Sequence, residues 1–433
     1  MSPVMVLFII VSMLLLALGV PIFFAFGSAA VVHELFRTGD PFPNLISHTI
    51  VFGVNSVIIL AIPLFFYVGQ VMNATGLTHI LFDFANQCVG AIKGGLGQVN
   101  VLISMIFAGM SGSEVADIAG LGSIEMQAMK RAGYHTGYAA GITLSSSLVG
   151  PIIPPSISAV LYAILAEVPV SSLMMGLLVP GVLMGVFLMA QVYILASLFP
   201  RWFPKHQDEI SLRRWWQTLV RALPALLTPV ILIGGIASGV FTATESASVA
   251  GVWITLIAAF WYRSLTWRGF WNILQKTAID SSVIMIILGA ATLYVWLLTR
   301  ARVPYMIGEW AAGYTNDPFV FMVIVGGVLL LVGCFIPVSV AINILVPILA
   351  PVAVAFRIEP LHFAAFFICV LNVGNITPPF GLGLFTLQKV TGMPFGELVK
   401  GLLPFLIPMF VVVVLVLFFP VISNWLPAFL FYR

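Results

Sequence analysis

The chain has 433 residues, of which 61% are hydrophobic and 8% charged, with a formal net charge of +3 and a mean hydropathy of +1.13. A soluble domain carries roughly 25% charged residues, so this chain has too little polar surface to face water. The composition excludes a soluble enzyme or a nucleic-acid binder and makes a bilayer the relevant solvent.

Apolar stretches long enough for membrane helices recur from end to end. The first, at 4–18, lacks the basic start of a signal peptide, because the first basic residue is Arg37. It reads as a retained membrane helix with the N-terminus outside. Comparable stretches lie at 172–198, 319–335 and 406–421. Residues 201–221 carry Arg201, Lys205, Arg213, Arg214 and Arg221, which marks a cytoplasmic loop. Trp202, Trp215 and Trp216 belong at headgroup depth, so part of this stretch reads as an amphipathic interfacial helix. Two apolar segments, 223–238 and 243–262, then bring the chain back to a second basic loop at Arg263, Arg268 and Lys276. Thr242 and Glu245 have the spacing of a capping box opening the second of them.

Cys88, Cys334 and Cys369 are too far apart to suggest a metal site or a disulfide. His33-Glu34 starts a zinc-protease pattern that Arg37 leaves incomplete. There is no convincing nucleophile–base pair and no cofactor loop, so an intramembrane enzyme is not expected.

The basic loop divides the chain into a first repeat (1–200), a cytoplasmic basic amphipathic connector (201–222) and a second repeat (223–433). Val149–Pro155 reads VGPIIPP and Val373–Pro379 reads VGNITPP, the same V-G-x-I-x-P-P pattern 224 residues apart. Gly109 and Gly333 stand at the same offset. Pro169 and Pro394 follow the paired prolines at nearly equal distances. An internal repeat in a polytopic membrane protein is a usual plan for a secondary transporter. Paired prolines lack backbone donors and push the preceding residue out of the helical region, so Ile153 and Thr377 should interrupt their helices. In hydrocarbon, freed carbonyls are tolerated only where protein or an aqueous cavity receives them. The two motifs either kink their helices or supply carbonyls for a small cation and helix N-termini for an anion.

A second unusual stretch is residues 107–122, FAGMSGSEVADIAGLG, with four glycines, Ser111, Ser113, Glu114 and Asp117. Glu114 and Asp117 are three apart and share a helix face. They read either as a functional intramembrane pair or as an acidic helix start at the membrane surface. The counterpart at 333–343, GCFIPVSVAIN, is also broken by Gly and Pro. Each half therefore offers two breaks about 40 residues apart, and a site can form where they meet. A third break is expected at Ala61–Phe65, as the tip of a re-entrant hairpin, with a weaker counterpart at 287–290.

These features resemble the large membrane subunit of tripartite ATP-independent periplasmic (TRAP) transporters. The resemblance rests on residues 19–22, GVPI; 61–65, AIPLF; the Gly/Ser-rich 109–119; 242–247, TATESA; and 374–385, GNITPPFGLGLF. It covers essentially the whole chain. It implies an all-α polytopic membrane protein with two inverted repeats, re-entrant hairpins and broken helices. The mechanism would be of elevator type, in the fold class of other ion-coupled carriers. It further implies a Na+-coupled importer of an organic acid such as a C4-dicarboxylate, sialic acid or another sugar acid, in the bacterial inner membrane. A periplasmic substrate-binding protein and a separate small four-helix membrane subunit would be its partners. By the same resemblance, Gly333, Gly374, Thr377 and the Phe380 carbonyl would form one sodium site. The internal repeat supplies a mate at Gly109, Ser111, Ser113 and Gly150. The acid would lie between them, around Pro155, Ser156, Pro379 and Gly381. Arg300 and Arg302 are tempting carboxylate partners but stand at a membrane boundary, where snorkelling arginines are common. The alternative is a stand-alone cation/proton antiporter or organic-anion symporter of related fold, with Glu114 or Asp117 carrying the proton in the antiporter.

Overall fold

A computed structural model of the chain describes residues 8, 10–12, 14–16, 18–38, 44–204 and 211–431. Residues 4–7, 9, 13 and 17 of the apolar stretch at 4–18, and Lys205, lie outside the described residues. Every described element is helical. Eight of the described helices are long and apolar enough to cross a bilayer. The protein is an all-α multi-pass membrane protein.

Helix starts are marked by short polar residues that accept the otherwise unpaired N–H groups of the first turn. Ser211 caps Leu212–Ala237, Thr266 caps Trp267–Arg300 and Asp317 caps Pro318–Phe335. The expected capping box is present: the Thr242 N–H donates to Glu245 Oε2 (2.8 Å) and the Glu245 N–H to Thr242 Oγ1 (3.3 Å). Prolines inside helices free carbonyls that other groups take up. Pro408 has no N–H for the Pro404 carbonyl, and Gln191 Nε2 donates to that carbonyl instead (3.2 Å). Arg213 and Arg214 lie in the first turn of Leu212–Ala237 and Arg221 in its third, so the described end of the basic stretch continues into a long helix rather than forming a separate interfacial one.

The helices form two layers. Ile22–Thr38, Asn44–Val54, Ala61–Ala74, Leu212–Ala237, Ala243–Leu256 and Trp267–Arg300 pack on one another as an outer frame. Gly95–Ser111, Thr136–Ser147, Ile157–Ala166 and Val170–Leu198 form the inner layer with Pro318–Phe335, Val338–Ala355, Pro360–Ile376 and Phe395–Phe418. Thr136–Ser147 and Phe395–Phe418 cross so closely that a Cβ on Gly141 would run into the Gly401 carbonyl, and one on Gly401 into the Gly137 carbonyl. Without a hydrophobic drive between helices in lipid, such small-residue contacts set how closely helices pack.

Around the paired breaks the two halves follow the same order of helices. Gly95–Ser111 ends at a break and returns as Glu114–Asp117 and Ser123–Arg131; Pro318–Phe335 breaks at the equivalent place and returns as Val338–Ala355. Thr136–Ser147 and Ile157–Ala166 flank the first V-G-x-I-x-P-P motif, and Pro360–Ile376 and Leu382–Thr391 flank the second. The broken hairpins therefore lie at 95–131 and 318–355, and there is no break at Ala61–Phe65. Pro63 sits in the first turn of Ala61–Ala74, where a missing N–H costs nothing, so it starts a helix instead of breaking one. Residues 287–290 lie within continuous Trp267–Arg300, where Gly289 lets the Ile50 backbone approach.

Candidate functional site

In the second half, Pro337 cannot continue the helix that ends at Phe335, and Ile336 is extended (φ −123°, ψ 135°). The helix Pro360–Ile376 stops at Thr377, also extended (φ −75°, ψ 131°), just before Pro378-Pro379. Gly381, at φ 59°, turns the chain into Leu382–Thr391. The two breaks touch, because the Gly381 N–H donates to the Cys334 carbonyl (2.9 Å). One turn back, Gly333 and Gly374 cross with their backbones in contact. A Cβ added to either would lie 3.0 Å from the other's Cα and within 2.7 Å of a carbonyl, that of Leu371 or Leu330. Thr377 donates its N–H to Gly374 (2.9 Å) and its hydroxyl proton to Val373 (2.7 Å), which leaves the Oγ1 lone pairs for a cation. The Phe380 ring is exposed and packs on Phe335, with 4.9 Å between ring centroids.

The first half repeats this plan with different chemistry. Gly112 (φ 60°) ends the helix, and Ser113 caps the next turn by accepting from the Ala116 N–H (3.4 Å). A Cβ on Gly112 would meet the Pro155 carbonyl, so these two breaks also touch. Ser111 Oγ donates to Asp117 Oδ1 (2.5 Å). Asp117 Oδ2 is buried without a hydrogen-bond partner and lies directly against Gly150, where any Cβ would collide with it. Ser111, Asp117 and Gly150 therefore come together from both breaks. Gly109 does not meet Gly150: a Cβ on it would run into Pro229 and, farther off, meet Ile233 and the Pro154 carbonyl. The glycine crossing of the second half is thus not reproduced. Ser156 is fully buried, donates its hydroxyl proton to the Pro151 carbonyl and caps Ile157–Ala166, so it has no proton left for an anion. Pro155 is buried at the same turn, whereas Pro379 is exposed.

Glu114 links the halves. Asn375 Nδ2 donates to Glu114 Oε2 (2.5 Å), and Glu114 Oε1 faces Gly383 with no hydrogen-bond partner. Glu114 and Asp117 do open a helix behind the Ser113 cap, but both are buried among protein rather than exposed at a surface. Sequence reasoning missed a network beneath the first break. Asn100 Nδ2 donates to Glu125 Oε2 and Thr143 Oγ1 (both 2.8 Å), and Ser146 Oγ donates to Asn100 Oδ1 (2.6 Å). It ties together the helices Gly95–Ser111, Ser123–Arg131 and Thr136–Ser147. Two signals pointed to it: Asn100, an amide inside an apolar run, and the serine run 145–147 before the first motif, whose spacing suits hydrogen bonds across helices and whose Ser146 makes one. Arg300 lies over the Trp296 ring, 5.0 Å from its centroid, which fits the snorkelling reading. Among the described residues, no group of three His, Cys, Asp or Glu side chains converges as a transition metal requires.

Oxygen-only donors at helix breaks inside a membrane protein suit a hard cation with an organic anion. The family model described as "Tripartite ATP-independent periplasmic transporter, DctM component" matches residues 9–422. The chain belongs to this family. The permease is 36% identical to the sialic acid TRAP transporter large permease protein SiaM of Vibrio cholerae, over 95% of this chain and 96% of that one. It is also 36% identical to the C4-dicarboxylate TRAP transporter large permease protein DctM of Pseudomonas aeruginosa, over 86% of each chain. The 2,3-diketo-L-gulonate TRAP transporter large permease protein YiaN of Escherichia coli is 33% identical, over 87% of this chain and 88% of that one. Among solved structures, the Alcanivorax borkumensis YdaH transporter superposes with a TM-score of 0.65 over 87% of both chains, at 13% identity, a likeness of fold alone. The permease is a transport protein, not an enzyme.

Proposed function

We propose that this permease is the large membrane subunit of a Na+-coupled importer of an organic acid in the bacterial inner membrane. The observation that carries the sodium reading is the unpartnered Asp117 Oδ2, buried beside Ser111 and Gly150 where two helix breaks meet. A buried carboxylate oxygen without a donor is costly, and a cation supplies the missing partner. A second site around Gly333, Gly374, Thr377 and the Phe380 carbonyl is neutral. Position 341, the repeat mate of Asp117, is Ala341. The two cations would therefore be held unequally, with the first site the tighter. The acid would sit between them, near Pro379 and the turn at Gly381. The three relatives are named for acids of different size that share a carboxylate, so a carboxylate is the common feature. The inner layer would move against the outer frame as an elevator. A small four-helix membrane subunit would brace that frame, and a periplasmic binding protein would deliver the substrate.

The direct test is uptake by proteoliposomes under an imposed Na+ gradient. The chain should be poorly active by itself and should take up a labelled organic acid once both partners are added. Full uptake by the chain alone would sink the tripartite reading. A finer test uses Thr377→Ala. Loss of one hydroxyl near a cation costs on the order of 1–3 kcal/mol, so the half-saturating Na+ concentration should rise roughly ten- to a hundred-fold. Ile153→Ala should leave it unchanged, because Ile153 offers only a carbonyl that alanine keeps. An unaltered Na+ dependence in Thr377→Ala would remove the hydroxyl from the site.

A further inference from the structure

Trp267–Arg300 is a 34-residue helix, about 51 Å long, which is enough to cross the whole bilayer. It starts beside the basic loop at Arg263 and Arg268, so Arg300 and the turn after it lie on the opposite, outer face. The short helix Val303–Ala312 follows and packs against Val338–Ala355, the returning arm of the second hairpin. Between them opens a cavity of about 820 Å³. Arg302 and Arg357 both line it, although they come from turns 55 residues apart in sequence. Both residues have left-handed backbones (φ 54° and 60°), a conformation that residues other than glycine seldom adopt. Neither arginine forms an ion pair with a described carboxylate. Glu309 also lines the cavity but is engaged by the Tyr305 hydroxyl, so one positive charge is left in excess. The remaining wall is largely apolar, with Pro304, Pro351 and Phe356. Tyr305, Trp310 and Tyr314 stand exposed alongside, the aromatic belt of a membrane–water interface.

We propose that this cavity binds an anionic phospholipid from the outer face, with its phosphate between Arg302 and Arg357 and its glycerol and upper acyl chains along the apolar wall. The volume falls in the upper part of the roughly 300–1,000 Å³ range that encloses drug-sized ligands, far more than a four-carbon acid fills. Arginine is the side chain suited to phosphate, through its fork of donors. Basic pockets between membrane helices hold anionic headgroups by this chemistry on the cytoplasmic side, and the same fork of donors would serve on the outer face. The lipid would bridge the short helix Val303–Ala312 to the hairpin end at Arg357.

The test is native mass spectrometry of the full chain, purified with equal amounts of phosphatidylglycerol and phosphatidylcholine. The native protein should retain phosphatidylglycerol with about a tenfold preference. Arg302→Gln with Arg357→Gln should abolish the preference, while Arg302→Lys with Arg357→Lys, which keeps the charge, should retain most of it. Monodispersity in size-exclusion chromatography, together with the lysine pair, separates loss of the site from loss of the fold. An unchanged preference in the glutamine pair would overturn the proposal. So would displacement of the lipid by millimolar succinate or inorganic phosphate, which would make the cavity a site for a small free anion.

Discussion

Replacing Asp117 by Asn should abolish sodium-driven uptake while leaving the sodium-free protein at least as stable as before. The two effects have opposite signs because the carboxylate does opposite things with and without a cation. In the absence of sodium, Asp117 Oδ2 is a buried acceptor with no hydrogen-bond partner, and the Ser111 hydroxyl serves only Oδ1. An uncharged amide of nearly the same shape relieves part of that burial penalty. With sodium bound, the same substitution removes the anionic ligand of the proposed site. Removing one member of a buried charge pair costs about 2–5 kcal/mol, or roughly 30- to 3,000-fold in affinity. The measurement is the thermal midpoint of the purified permease against NaCl, with KCl at equal ionic strength as the control. The native protein should be stabilised by NaCl in excess of KCl. Asp117→Asn should show no such excess, with a midpoint in KCl equal to or above that of the native protein. A variant that keeps the sodium-specific stabilisation would take Asp117 out of the site. A variant destabilised equally in both salts would make it a structural residue.

The sequence made the breaks easier to see than the contacts between them. Pro154-Pro155 and Pro378-Pro379 stand at breaks, as does Pro337, because two consecutive residues without donors end a ladder that a single proline such as Pro408 leaves continuous. The pairing of the halves was legible for the same reason. Pro63 misled, because a proline in the first turn of a helix obeys the same rule without breaking anything. The asymmetry between the halves could not be read this way. Matching Gly109 with Gly333 assumed that a repeat in sequence gives a repeat in contact. In the structure Gly333 meets Gly374, whereas Gly109 meets Pro229 of the outer frame. Asp117 was noticed as an intramembrane carboxylate, yet its alignment with Gly150, 33 residues away, depends on how two hairpins cross. The link between Glu114 and Asn375 spans 261 residues and has no local signature at all. The family likeness pointed to the second proposed site and the internal repeat to Ser111 and Gly150 of the first; joining Asp117 to them needed the packing.

The second large effect is expected at Gly333. A methyl group there would lie 2.6 Å from the Leu371 carbonyl oxygen and 3.0 Å from the Gly374 Cα. Both neighbours are backbone atoms, so no side-chain rotation can make room. The helices Pro318–Phe335 and Pro360–Ile376 would have to separate at the point where their two breaks are held together. Overpacking of this kind costs typically about 1–3 kcal/mol. The functional loss should be larger than that figure suggests, because the carbonyls proposed to hold the second cation lie on the segments that are forced apart. Gly333→Ala should reduce uptake to below about a tenth, with a lower thermal midpoint and a raised Na+ requirement. Gly327 provides an internal control two turns earlier on the same helix. A Cβ there meets nothing within 4 Å. Alanine is also the better helix former, by up to about 1 kcal/mol, so Gly327→Ala should be neutral or slightly stabilising. The pair separates helix propensity from the crossing. If both variants transport normally, the Gly333–Gly374 contact does not fix the site. If both fail alike, the helix tolerates no change along its length and the loss at Gly333 says nothing about cation binding. Loss at Gly333 with preserved function at Gly327 would tie the second site to the place where the two backbones touch.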